Sequence, residues 1–236
     1  HSVGRWGRGD TIDLSRGAAM LPIQQMIAEI EAEVGYTAGM TGRPELSEQV
    51  REAMRQVPRH MFVDPELMDE AYDNYPLPIG YDQTISQPYM VAIMTDLLEP
   101  KPHHRVLEIG CGSGYQAAIL SLLVQKVISL EIVGPLARSA RERLARLGYH
   151  NVEVIEADGQ FGWEQQAPYD GIIVTAAPED IPQPLIDQLA PGGHLIIPVG
   201  ARYMAQELLD IHKVTEDEVI TKGVLGVSFV PLTGGA

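Results

Sequence analysis

Apolar residues recur at helical spacing along the first third of the chain. Isoleucine and methionine lie three and four positions apart over residues 22–34, which predicts an amphipathic helix. A second stripe predicts a helix over 47–57, and a third short helix is expected over 65–72. Residues 75–88 (YPLPIGYDQTISQP) have no period and contain three prolines. So long an irregular segment favours a binding role.

The pattern changes after Pro88, where short apolar runs alternate with helical stripes. Strands alternating with helices predict an α/β fold, a Rossmann-like, doubly wound, mostly parallel sheet. Two further strands, 207–214 and 218–230, predict a C-terminal strand pair. The helices are expected at 89–98, 114–123, 136–147 and 184–189, and the strands at 105–109, 126–131, 152–156, 170–175 and 194–199.

These patterns divide the chain into three parts. We expect a flexible, Gly- and Arg-rich tail over residues 1–19. A helical N-terminal part with the irregular loop is expected over 20–98. A Rossmann-like domain is expected over 99–236. The length of 236 residues suits one domain with a small appendage.

Composition narrows the classes of partner and compartment. The chain has 17 Lys+Arg and 32 Asp+Glu, a formal net charge of −15, which argues against binding nucleic acid or an anionic membrane surface. No apolar run is long enough to span a membrane. The single cysteine, Cys111, cannot form an internal disulfide, which suits the cytoplasm. The sequence leaves the oligomeric state open, and we favour a monomer.

A glycine cluster follows the first predicted strand of the sheet. Gly110, Gly112 and Gly114 lie between that strand and a helix, where glycines allow a sharp turn and a close ligand. The spacing G-x-G-x-G differs from the G-x-G-x-x-G of dinucleotide-binding proteins. It also lacks the G-K-[ST] of a P-loop. A tight strand–helix turn without a ligand is the alternative interpretation.

Three acidic residues follow or end predicted strands near this cluster. Glu131 can accept hydrogen bonds from both ribose hydroxyls of an adenosine. Asp158, which precedes Gly159, can reach an exocyclic amine of a purine, and Glu108 can reach an ammonium group or a bound water. Three acids suit a cationic nucleoside better than a pyrophosphate. S-adenosylmethionine, which carries a sulfonium and an ammonium, meets this description.

Several segments resemble a known family. Segment 106–115 (VLEIGCGSGY) resembles motif I of class I S-adenosylmethionine-dependent methyltransferases. The loop 80–90 (GYDQTISQPYM) resembles the signature of the protein-L-isoaspartate (D-aspartate) O-methyltransferases, as do PRHMFV, LPIG, LAPGGHLIIPVG and FVPLTG. The resemblance runs from about residue 46 to the last residue. This sequence departs from the family pattern at Asp82 (often Gly), Tyr89 (often His) and Cys111 (often Thr or Ser).

The resemblance implies a repair reaction. A methyl group would pass from S-adenosylmethionine to the α-carboxylate of an L-isoaspartyl residue in a damaged protein or peptide, leaving S-adenosylhomocysteine. The ester closes to a succinimide, and hydrolysis returns part of the chain to aspartate. A carboxylate is already ionised at pH 7, so the reaction needs no general base and most of the catalysis can come from positioning.

The resemblance also implies the site residues. Ser86 precedes a predicted helix, and position alone allows an ordinary N-cap. The resemblance makes its hydroxyl the candidate catalytic donor that holds the substrate carboxylate together with Thr84. Cofactor contacts are expected from Gln83, Thr84, Ile85, Ser86, Tyr89, Glu108, Gly110, Gly112, Gly114, Glu131, Ile132, Asp158, Gly159 and Thr233.

Three other functions compete with repair. A relative that methylates an aspartate in a dedicated peptide would tend to carry extra C-terminal sequence. A non-enzymatic S-adenosylmethionine-binding module would not need the QTIS loop. An NAD-dependent oxidoreductase would need the other glycine spacing. We expect no metal site, because the histidines show no ligand spacing such as H-x-x-x-H.

Overall fold

The computed structural model describes residues 20–235. The predicted flexible tail over residues 1–19 lies outside the described residues. The helices are α1 (Pro22–Tyr36), α2 (Ala38–Thr41), α3 (Glu48–Gln56), α4 (Pro88–Leu98), α5 (Tyr115–Ser121), α6 (Gly134–Leu147) and α7 (Gln183–Asp187). Short 3-10 turns occupy Arg59–Phe62, Pro65–Glu70, Gly159–Phe161 and Glu164–Gln166.

A seven-stranded sheet forms the centre of the fold. Its order is β5-β4-β3-β6-β7-β8-β9, in which the first five strands run parallel and β8 and β9 are antiparallel. The predicted mostly parallel sheet and C-terminal strand pair are confirmed. The strands are β1 (Leu77–Gly80), β2 (Gln83–Ile85), β3 (Arg105–Ile109), β4 (Lys126–Glu131), β5 (Val152–Glu156), β6 (Tyr169–Val174), β7 (Leu189–Val199), β8 (Gln206–Thr215) and β9 (Glu218–Val227).

Both faces of the parallel strands are buried. In β3, Val106 joins a hydrophobic cluster that includes residues of α1, α3, α4, α5 and α6, whereas Leu107 and Ile109 join a second cluster with Leu185 of α7. Strands buried on two sides need continuous apolar runs rather than alternation. This explains why runs such as RVLEI and KVISLE lie in the sheet.

The irregular loop contains a β-hairpin that the sequence analysis missed. Strands β1 and β2 pair antiparallel, with Leu77 opposite Ile85. Tyr81 and Asp82, at the turn, have φ angles of 55° and 57°. Two residues at positive φ are typical of the tight hairpin turns that match the twist of the strands. The segment QTIS therefore begins on a short strand rather than in an unstructured loop.

The start of α4 differs from the prediction. The position of Ser86 before a predicted helix allows an N-cap, but α4 begins at Pro88 and its N-cap position is Gln87, without a side-chain cap hydrogen bond. Proline is favoured at the first helical position because its missing N–H has no intrahelical partner there. Ser86 is therefore free of a capping role. No helix within residues 20–235 is long and apolar enough to cross a membrane.

Candidate functional site

A cavity opens at the carboxyl ends of the parallel strands, with about 530 Å³ of empty space including space open to solvent. Here the chain reverses direction across the sheet, between β3 and β6, which is the usual ligand position in open α/β sheets. Of the predicted residues, it is lined by Gln83, Thr84, Gly110, Gly112, Glu131, Ile132, Gly159 and Thr233. It is also lined by residues that no sequence motif indicated: Ile109, Leu130, Val133, Ala157, Thr175, Ala176 and the segment 230–232.

The glycine loop brings its backbone against this cavity. Gly110 has a φ of 93°, and a Cβ there would lie 2.6 Å from Oγ1 of Thr175. The backbone N–H groups of Gly110 and Cys111 both donate to the carbonyl of Leu130, each at 3.0 Å. Glycine is thus required by backbone conformation and by the close approach of Thr175, which directly follows β6. Gly114 lies one turn further on as the N-cap of α5 and does not line the cavity.

Glu131 is the acidic residue that reaches the cavity wall. Its side chain is almost buried, and Oε1 accepts the N–H of Gly112 at 2.8 Å. Oε2 accepts the N–H of Val133 at 3.0 Å. A carboxylate offers about four lone-pair sites, so acceptor positions on both oxygens remain for a ligand. Glu131 therefore has two roles: it holds the glycine loop through hydrogen bonds, and it presents a negative charge to the cavity.

Glu108 lies beneath the loop rather than in the cavity wall. It is fully buried, Oε1 accepts the hydroxyl of Ser129, and Oε2 has no partner among the described residues. Burial raises the pKa of the Glu108 carboxyl to about 8. The hydrogen bond from Ser129 lowers this pKa, and the charge of Glu131 raises it further. The expectation that Glu108 reaches a ligand ammonium is not supported by this position, because the side chain does not open into the cavity.

Asp158 binds the C-terminal segment instead of lining the cavity. Its Oδ1 accepts the N–H of Gln160 at 3.0 Å, and Oδ2 accepts the N–H of Gly235 at 2.6 Å. Pro231 forms a parallel bridge with Ala177 after β6, so this segment crosses the carboxyl end of the sheet. Asp158 thereby helps to place Thr233 at the cavity. Direct contact of Asp158 with a purine, expected from the sequence, is not what this geometry favours.

A larger groove adjoins the cavity on the side of the N-terminal helices. Its empty space is about 1430 Å³, including space open to solvent, and Thr84 and Ser86 line it. Thr84 also lines the first cavity, so the two spaces meet at this side chain. The hydroxyl of Ser86 makes no hydrogen bond to the described part of the chain, whereas its carbonyl accepts one from Arg59 at 2.9 Å.

Besides Ser86, Glu108, Gly114 and Asp158, two further predicted cofactor residues do not line the cavity. Tyr89 lines the groove, and its hydroxyl shares a 2.6 Å hydrogen bond with Oγ1 of Thr37. Ile85 is buried in the core and borders a smaller cavity of about 310 Å³ between Ser86 and the glycine loop. The structure therefore does not bring Tyr89 or Ile85 to the wall of the 530 Å³ cavity.

Arg59 is a buried cation next to Ser86 that the sequence analysis did not identify. Its side chain is fully buried, Nε donates to the carbonyl of Ala71 at 2.7 Å, and the guanidinium lies 4.9 Å from the ring centroid of Tyr115. No carboxylate in residues 20–235 lies within ion-pair distance of it. Burial lowers the pKa of Arg59 from its ordinary value. The motif PRHMFV was the available sequence signal.

Comparison with known proteins decides the family. Residues 41–236 match the family model described as protein-L-isoaspartate(D-aspartate) O-methyltransferase. The chain belongs to this family. A protein-L-isoaspartate O-methyltransferase 2 of Polaromonas sp. is 53% identical over 209 residues, which cover 89% of this chain and 99% of the relative. The high coverage on both sides shows that the similarity to this family member is not limited to the glycine motif.

Solved structures of protein-L-isoaspartate O-methyltransferases share the fold. One superposes with a TM-score of 0.78 and 25% identity, covering 90% of this chain and 66% of that chain. Another, from Plasmodium falciparum, was solved in complex with S-adenosyl-L-homocysteine, with a TM-score of 0.72, 26% identity and coverage of 89% and 97%. The family's methyltransferase fold is therefore present in this chain.

The cavity suits the cofactor of a protein-L-isoaspartate O-methyltransferase. Gly110 and Gly112 line the cavity without side chains, and Glu131 offers acceptor sites for ribose hydroxyls. Ile132, 38% exposed, supplies an apolar surface of the kind against which a planar base packs.

Proposed function

We propose that this chain is a protein-repair methyltransferase that transfers a methyl group from S-adenosylmethionine to the α-carboxylate of L-isoaspartyl residues in damaged proteins and peptides. The observation that carries the proposal is the junction at Thr84, where the cavity with Glu131 meets the groove with Ser86. Methyl transfer needs two ligands side by side, and the cavity and the groove provide adjoining spaces for them.

The cavity holds the cofactor in this proposal. Glu131 accepts the ribose hydroxyls, the backbone of Gly110 and Gly112 allows close approach, and Ile132 and Thr233 cover the nucleoside. When bound, S-adenosylmethionine supplies an electrophilic methyl group on a cationic sulfur. The neutral side chains Gln83 and Thr84 then separate the cofactor from the groove. Three predicted cofactor residues have other contacts: Glu108 accepts from Ser129, Asp158 accepts from Gly235, and Gly114 is the N-cap of α5.

The groove holds the isoaspartyl peptide. The hydroxyls of Ser86 and Thr84 orient the attacking carboxylate, and Ser86 has no competing hydrogen bond within residues 20–235. Since the carboxylate is the nucleophile in its ionised form, no side chain has to remove a proton. Fixing its direction of approach is enough to account for a large part of the rate, because orientation can contribute about 7–11 kcal/mol to lowering a barrier.

We also propose that the enzyme acts as a monomer in the cytoplasm, without nucleic-acid or membrane partners. The net charge of −15 supports the absence of polyanionic partners. The single cysteine, which is buried and free, suits a reducing compartment.

The decisive experiment compares two synthetic peptides. One contains an L-isoaspartyl residue and the other a normal aspartyl residue in the same sequence, and both are incubated with labelled S-adenosylmethionine. We expect base-labile methyl label on the isoaspartyl peptide only. In an isoaspartyl residue the chain continues through the β-carboxyl and leaves the α-carboxylate free, whereas a normal aspartyl residue has only its β-carboxylate free. Equal labelling of the two peptides, or of neither, would contradict repair of isoaspartyl residues.

A further inference from the structure

One charged side chain lies in the groove. Among the described residues that line it, Glu33 of α1 is the only acidic or basic one. Its Oε2 accepts hydrogen bonds from Nδ2 of Asn74 at 2.9 Å and from Nε2 of Gln87 at 3.1 Å. Gln87 directly follows Ser86 in sequence, and Glu33 lines the same groove as Ser86 and Gln87.

The charge of Glu33 is not compensated by any described residue. No lysine, arginine or histidine of residues 20–235 lies within 4.0 Å of it, and Oε1 accepts no hydrogen bond there. Glu31, on the same helix, is paired with Arg51. A half-buried carboxylate with neutral neighbours gains more from an approaching cation than an exposed one, because less water screens the interaction.

The surrounding hydrogen bonds hold Glu33 in place. Asn74 donates to Glu33 and, through Oδ1, accepts the N–H of Tyr89 at 3.0 Å. Gln87 donates to Glu33 and also to the carbonyl of Asn74 at 3.1 Å. A carboxylate fixed from two sides loses little conformational entropy when a ligand binds its free oxygen. Glu33 lies before residue 41, where the match to the family model begins.

We propose that Glu33 determines substrate specificity by binding a lysine or arginine side chain next to the isoaspartyl residue and by disfavouring an acidic one. The proposal rests on the repair function proposed above. An extended peptide advances about 3.3–3.6 Å per residue, and a lysine side chain spans a longer distance than that. The cation is therefore expected about one or two residues from the isoaspartyl residue when its carboxylate is at Ser86.

The test uses a set of isoaspartyl peptides and two enzyme variants. The peptides carry lysine, alanine or glutamate at each of the two positions on either side of the isoaspartyl residue. Glu33→Gln removes the charge and keeps an oxygen that can accept from Asn74 or Gln87. The matched control is Glu29→Gln, one turn earlier on α1, where the side chain is exposed and outside the groove. Both variants change the net charge equally.

The wild-type enzyme should turn over the best lysine peptide with a kcat/KM about tenfold above that of its glutamate counterpart, mainly through KM. In Glu33→Gln this ratio should fall to about twofold or less, and higher salt should reduce it in the wild type. Glu29→Gln should keep the wild-type ratio. Relative to the wild type, Glu33→Gln should lose more kcat/KM with the lysine peptide than with the alanine peptide.

Three outcomes overturn the proposal. An unchanged lysine-to-glutamate ratio in Glu33→Gln would show that the selectivity lies elsewhere, and so would an equal loss of the ratio in Glu29→Gln. If Glu33→Gln lost activity equally with all three peptides, Glu33 would be only a positioning residue for Gln87. A different result would refute the repair function itself: a wild-type enzyme that binds S-adenosylhomocysteine but methylates no isoaspartyl peptide. The three outcomes above all require a wild type that methylates these peptides, so the two kinds of failure can be told apart.

Discussion

Replacing Glu131 by alanine tests the assignment of the cofactor cavity. The carboxylate is 6% exposed and accepts the backbone N–H groups of Gly112 and Val133. A hydrogen bond to a charged acceptor contributes about 1.5–3 kcal/mol. Water entering from the cavity can replace part of each bond. We therefore expect the free energy of unfolding of the cofactor-free enzyme to fall by about 2–4 kcal/mol in Glu131→Ala.

Cofactor affinity should fall as well, for a separate reason. If the free lone pairs of Glu131 accept ribose hydroxyls, their loss removes at least one charge-assisted hydrogen bond. That corresponds to about 1.5–3 kcal/mol, or about a ten- to hundredfold increase in the Kd of S-adenosylhomocysteine. Isothermal titration calorimetry measures this change directly, at a temperature where urea titration has shown the variant to be folded.

A double-mutant cycle separates the ribose contact from distortion of the glycine loop. The second perturbation is a cofactor analogue that lacks both ribose hydroxyls. It should bind the wild type about as weakly as the natural cofactor binds Glu131→Ala. Removing the hydroxyls should then cost Glu131→Ala almost nothing, since the interaction is already absent.

Glu156→Ala is the matched control. This residue lies opposite Glu131 on the neighbouring strand β5, but its side chain is exposed and outside the cavity. The affinity of the Glu156→Ala enzyme for S-adenosylhomocysteine should stay within about twofold of the wild-type value, because surface substitutions of this kind have small effects. The ribose contact would be refuted by a folded Glu131→Ala protein with wild-type affinity, or by additive effects of the mutation and of the hydroxyl-free analogue.

Three further predictions follow from neighbouring residues. Ser86→Asp should keep the Kd for S-adenosylhomocysteine within about twofold of the wild-type value. It should reduce methyl transfer at least about tenfold, because the new carboxylate repels the substrate carboxylate. Near-normal turnover would place that carboxylate elsewhere. Arg59→Met leaves the buried carbonyls of Ala71 and Ser86 without their donor, so the urea unfolding free energy should fall by about 2 kcal/mol or more, and an equally stable variant would contradict this account. For Glu108, the raised pKa of about 8 means that the folded state keeps a proton that the unfolded state loses from about pH 4.5 upward. The stability that this group contributes is thus full below pH 4.5 and is lost as the pH rises towards 8. Between pH 5.5 and 7.5, the free energy of unfolding of the wild type should therefore fall by about 2–3 kcal/mol relative to that of Glu108→Gln. Parallel urea-stability profiles of the two proteins would exclude the raised pKa.

The parallel strands were the most predictable part of the fold. The predicted bounds 105–109, 126–131 and 152–156 agree with β3, β4 and β5. These strands are short apolar runs between turn residues, so their signal is local. β7 begins at Leu189 rather than at the predicted residue 194, because its first part, LAPGG, has the composition of a turn and pairs with β6 across a register shift.

The hairpin and the charges around Ser86 were not predictable in the same way. The turn of the β1–β2 hairpin places Tyr81 and Asp82 at positive φ without the Asn-Gly or Asp-Gly pair that usually indicates such a turn. The hydrogen bond from Arg59 to Ser86 spans 27 positions, and the one from Gln87 to Glu33 spans 54. No local pattern reports contacts of this separation, which depend on how the helices pack on the sheet.

The position of Arg59 agrees with the charge changes of the proposed reaction. The substrate carboxylate loses its negative charge as the ester forms, so a cation bound directly to it would stabilise the starting state more than the transition state. In the structure, the guanidinium contacts the carbonyl of Ser86 and the ring of Tyr115. The carboxylate at Ser86 would then meet a neutral hydroxyl, with the positive charge one residue's backbone away. Attraction at longer range can still favour binding of an anionic group in this acidic protein, while the contact that orients the nucleophile remains uncharged.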